Sequence, residues 1–163
     1  MKRLSLAILL ISGIGFTLAA RAQDTTPFAQ QPNRPGADTQ LLSLGDLMIV
    51  SQWRHMKLWQ AAKAENWALA KYEADKLSES LYRAAVLYVN IPAPLVKTSD
   101  AQLAAIADAA LQRDQRGFEQ AFVALTTSCN ACHQAAGLDF IRIRMPTSSP
   151  FSDQDFTAPT KNR

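Results

Sequence analysis

The sequence predicts an all-α fold built from four helical segments, and three features predict it. Apolar residues recur in steps of three and four from Leu41 to Ala136, turn-forming residues break that rhythm at three places, and no strand pattern alternates with the helical ones. The elements follow in chain order.

Residues 1–22 open with the basic pair Lys2 and Arg3, continue as the apolar run LSLAILLISGIGFTLAA and end on Ala20, Arg21 and Ala22, a small-residue cleavage pattern. This reads as a secretory signal peptide cleaved after Ala22. The apolar run is short for a spanning helix and gives way to polar residues, so the expectation is an exported, periplasmic protein that does not span the membrane once cleaved. Loss of Lys2, Arg3 and Arg21 brings the 17 basic residues level with the 14 acidic ones, which excludes a polybasic nucleic-acid face. Residues 23–38, rich in Gln, Pro and Thr, read as a flexible leader.

The helical domain is expected over residues 39–137. Its first helix runs from Thr39 to Glu65 on Leu41, Leu44, Leu47, Met48, Val50, Trp53, Met56 and Trp59. The second opens at Asn66, a good N-cap, and carries Ala70, Ala74, Leu77, Leu81, Ala84 and Tyr88 until NIPAP stops it. A third and shortest helix opens on Ser99, with Gln102 completing a capping box, after a long connection NIPAPLVKTSD. The fourth carries Phe118, Phe122, Leu125, Cys129, Cys132 and Ala136, and Gly137 caps it. In residues 138–163, LDFIRIRMP alternates as a strand would, with Ile141, Ile143 and Met145 on one side and Arg142 and Arg144 on the other.

The only two cysteines and one of the two histidines fall together in CNACH, residues 129–133. Residues three and four apart share a helix face, so Cys129, Cys132 and His133 project into one space and should border one interhelical cavity. C-x-x-C-H is a c-type haem attachment signal, in which both thiols form thioethers with the haem vinyl groups and the histidine ligates the iron. Haem c is therefore the expected cofactor. A zinc site formed with His55 fits the usual ligand spacings badly, and a redox dithiol expects a βαβ setting that the chain lacks.

Four helices with CNACH in the last resemble the class II c-type cytochromes, cytochrome c-prime and its low-spin relatives, over Thr39 to Gly137. The resemblance implies an antiparallel up-down four-helix bundle with a covalently bound haem, here followed by an extended C-terminal tail that could fold over it. It also implies Met48 as distal iron ligand, homodimerisation through the first two helices, and a periplasmic redox partner whose identity the residues do not disclose. The tail is unusually long for that family, and the Arg-Gln pair often found before the distal position is absent. His55 and Met145 are the rival distal ligands; His55 lies about 10 Å further along the helix than Met48. With His133 and Met48 saturating the iron, the protein would be a one-electron carrier and not an enzyme. With an open sixth position it would bind small gases, and a peroxidase would need His55 as its acid/base group.

Overall fold

The computed structural model describes residues 43–88 and 91–160, and the expected signal peptide and leader lie outside them. The described residues form four α-helices and no strand: α1 Leu44–Lys63, α2 Trp67–Leu87, α3 Ala93–Gln112 and α4 Gln115–Ala135. Each helix packs closely on the next in sequence, while α1 and α4 meet through larger side chains, His55 and Trp59 against Phe118, Phe122 and Thr126. Short connections reverse the chain each time, an arrangement compatible with a four-helix bundle. No described helix is long and apolar enough to cross a membrane.

Local chemistry explains the helix ends. Ser43 caps α1 in a reciprocal box: Asp46 N donates to Ser43 Oγ at 3.2 Å and Ser43 N donates to Asp46 Oδ2 at 2.9 Å. Asn66 caps α2 as expected, its Oδ1 accepting from Leu69 N, and Asp114 caps α4 by accepting from Gly117 N. Helices α1, α3 and α4 each end in a left-handed residue, Glu65 (φ 54), Arg113 (φ 56) and Gly137 (φ 72). The following amide reaches back in each case, Asn66 to Ala61 O, Asp114 to Ala109 O and Leu138 to His133 O. One closing motif thus serves three helices, twice without glycine.

Helix α3 departs from the sequence expectation. It begins at Ala93 behind Pro92 and is as long as α1, so most of the supposed connection NIPAPLVKTSD is helical. Pro94 needs no amide partner in a first turn, and Ser99 is no cap. Ser99 lies buried within the helix and donates its hydroxyl to Leu95 O at 3.2 Å. Ser51, Ser80 and Thr126 use the carbonyl four residues back in the same way. A hydroxyl satisfied by its own helix can face a core, which removes the reason to read Ser99 as a boundary.

The core gathers Leu58 from α1, Leu77 from α2, Leu103 and Ile106 from α3, and Phe118, Phe122 and Leu125 from α4. Trp59 and Trp67 pack against it. The buried stripe of α1 is Leu47, Ser51, His55, Leu58 and Ala62, whereas Trp53, counted as apolar in the sequence reading, is 55% exposed. Two polar residues therefore complete a core face that apolar spacing alone misphased.

Beyond Gly137 the expected strand-like alternation produces no ladder. Ile141 is exposed, Ile143 half-buried, and Met145 and Phe156 pack on the core. Asn130 on α4 does what a partner strand would have done, donating Nδ2 to Ile143 O and accepting from Ile143 N, both at 2.8 Å. Further on, Asn66 Nδ2 donates to Thr157 O at 3.1 Å.

Candidate functional site

The last two turns of α4 carry the CNACH residues. Phe118, Phe122 and Leu125 are fully buried, and continuing the same face by steps of three and four brings Cys129 and Cys132 to half-buried positions. Cys129 packs against the core, and both thiols are free. Burial, with the neighbouring Cys132 thiol adding to it, pushes the Cys129 thiol up to about 11; burial also raises Cys132. Dithiol exchange needs a thiolate favoured near neutral pH, and here the environment acts the other way.

His133 sits in the last turn of α4, half-buried, with Nδ1 2.9 Å from Ile141 O. A carbonyl can only accept, so Nδ1 carries the proton and the lone pair of the neutral ring lies on Nε2. A backbone carbonyl behind one ring nitrogen is the arrangement that orients an imidazole for a metal at the other. The donor set of α4 therefore fits the group that CNACH implies: two free thiols for thioethers and an imidazole with Nε2 available.

The other sequence candidates lie on α1 and in the C-terminal segment. Met48 is half-buried, roughly two helical turns before His55. His55 is 3% exposed, its Nε2 2.9 Å from Thr126 Oγ1 and its ring 4.3 Å from that of Phe122. Met145 is half-buried, with Sδ 3.9 Å from Thr126 Oγ1. Thr126, one turn before Cys129, is thus the meeting point of both rivals to Met48. Among the described residues no three His, Cys, Asp or Glu side chains are grouped to hold a metal ion.

No family model, curated protein or solved structure matches the chain.

Two grooves stand out among the described residues, and neither is lined by Cys129, Cys132 or His133. One, about 470 Å³, lies between α2 and α3. The other, about 270 Å³, lies between α1 and the C-terminal segment and is lined by His55, Met145 and both arginines, Arg142 and Arg144. On α4, Ile141 and Ile143 are bonded to His133 and Asn130, so that the chain beyond Gly137 lies against this helix. Sequence reading missed Asn130, Thr126 and the Ile141 carbonyl. Only Asn130 left a signal, a polar residue inside CNACH.

Proposed function

We propose that the protein is an exported c-type cytochrome that carries single electrons on a haem held by Cys129, Cys132 and His133. The observation that supports this most directly is the Nδ1–H bond from His133 to Ile141 O, which leaves Nε2 for a metal, with free Cys132 adjacent in sequence and free Cys129 one turn back. When bound, haem c supplies a one-electron change at iron.

The chain's own residues do the rest. Cys129 and Cys132 would retain the cofactor covalently, which matters outside the cytoplasm, where a dissociated haem is lost. Ile141 O fixes the His133 tautomer and makes its free nitrogen a better donor. Phe118, Phe122 and Leu125 keep water from the face of α4 that leads to the thiols. By resemblance Met48 would be the further protein ligand to the iron, and a haem with no open position would leave electron transfer as its chemistry.

Expression with export and haem-loading machinery tests the proposal. Haem should stay on the polypeptide through acid-acetone extraction, and Cys129→Ala or Cys132→Ala should each remove one thioether. Haem that extracts from the wild-type chain overturns the reading. The ferrous protein should be low-spin and resist carbon monoxide; a high-spin protein that binds carbon monoxide or nitric oxide readily would make it a gas-binding cytochrome c-prime type instead.

A further inference from the structure

The groove of about 270 Å³ between α1 and the C-terminal segment shares no residue with CNACH, and its lining holds charge and hydrogen-bonding capacity that the fold leaves unmatched. Arg142 and Arg144 both line it, and neither forms an ion pair with a described residue. Arg142 uses only its Nε, donating to Asp139 O at 3.3 Å, so the outer nitrogens of its fork stay available. No Asp or Glu lines the groove. A further cation stands close by, since the Lys57 ammonium lies 4.8 Å above the ring of Phe151, the residue after Pro150 of the lining. Positive charge without a counter-charge favours an anion and disfavours a metal cation.

His55 sets the second requirement. It is 3% exposed yet lines the groove. Thr126 Oγ1 lies 2.9 Å from Phe122 O and 2.9 Å from His55 Nε2. A carbonyl only accepts, so both contacts are hydrogen bonds when the hydroxyl donates to Phe122 O and receives Nε2–H from His55. Nδ1 then holds a lone pair and has no hydrogen-bond partner among the described residues. The buried side-chain atom found without a partner is Arg54 Nε, so Nδ1 is not sealed off. Burial lowers the His55 pKa to about 4, which keeps the ring neutral at ordinary pH. An acceptor at a largely buried position calls for an O–H or N–H donor, which a bare anion such as chloride lacks.

The rest of the lining is carbon-rich. Met56 from α1 and Met145, Pro146 and Pro150 from the segment give an apolar wall that an inorganic oxyanion would leave wet. An organic skeleton matches it, and a flat ring gains further from methionine sulfur.

We propose that this groove binds a small organic acid that also bears a hydroxyl: the carboxylate on Arg142 and Arg144, the carbon skeleton against Met56 and Met145, and the hydroxyl donating to His55 Nδ1. Because no residue of CNACH lines the groove, the site stands or falls separately from the haem reading. The test uses the purified exported protein, labelled at its methionine methyls, with para-hydroxybenzoate as the probe in NMR titrations. The methyl resonances of Met56 and Met145 should shift along one saturable curve. Arg142→Gln combined with Arg144→Gln, both exposed, should weaken binding by at least about tenfold, the loss of charge-assisted hydrogen bonds. Arg83→Gln, on the exposed face of α2, should leave it unchanged. Benzoate, which lacks the hydroxyl, should bind about fivefold more weakly, the worth of one net hydrogen bond. The proposal is overturned by a titration that does not saturate at millimolar probe, by shifts that survive the double arginine variant, or by benzoate or inorganic phosphate binding as tightly as para-hydroxybenzoate. Displacement of the probe by polyglutamate at lower concentration than by benzoate also overturns it, and would make the arginines a docking surface for an acidic protein.

Discussion

Asn130→Ala tests whether α4 holds the C-terminal segment in place, and with it the carbonyl that orients His133. The side chain makes two hydrogen bonds to one residue, Ile143, each 2.8 Å long and partly buried. A bond of this kind contributes about 1 kcal/mol net, so losing both costs about 2 kcal/mol for docking the segment. Docking at Met145 and Phe156 persists, so the segment should open locally before the helices unfold. The Ile143 amide should therefore exchange with solvent about 30-fold faster in the variant, the equivalent of that loss, while global urea unfolding shifts less. Asn130→Asp keeps an acceptor for Ile143 N but faces a second oxygen with Ile143 O, so it should lose at least as much. If the wild-type amide of Ile143 exchanges as fast as that of exposed Phe140, or Asn130→Ala leaves its protection unchanged, the clasp is not a stabilising contact.

Three further outcomes follow from the described geometry. Glu65→Gly and Arg113→Gly should each raise the unfolding free energy by about 1 kcal/mol, because both positions are left-handed and a Cβ is penalised there; equal or lower stability in chemical denaturation would show that the side chains compensate. The His55 pKa is lowered in the folded state, so its contribution is complete above the unfolded value near 6.5 and declines as pH falls toward about 4. Over that window the loss is about 3 kcal/mol at most, and His55→Gln should flatten the pH dependence of unfolding there.

Much of the fold was legible because it depends on short-range chemistry. Asn66 declared the start of α2 and Gly137 the end of α4, since caps act over one turn. The face leading from Phe118 to Cys132 followed from helical spacing, and CNACH placed two thiols and an imidazole on one helix. Ser99 misled for a physical reason: a hydroxyl serves equally as a cap or as a donor to the carbonyl four residues back, and burial decides between them. Ser51 and His55 were hidden on α1 because apolar counting leaves out polar residues whose partners lie in a neighbouring helix or in their own backbone.

By itself the sequence determined the helical character, the turn before Asn66, the end of α4 at Gly137 and which side chains CNACH carries, all set by residues within a few positions of one another. Only the tertiary structure decided what surrounds that motif. Ile141 O behind His133, Asn130 around Ile143, and Thr126 between His55 and Met145 are pairings across 8 to 71 positions. Residues so far apart meet because the packed helices bring them together, and no local periodicity encodes which polar atoms then come within bonding distance.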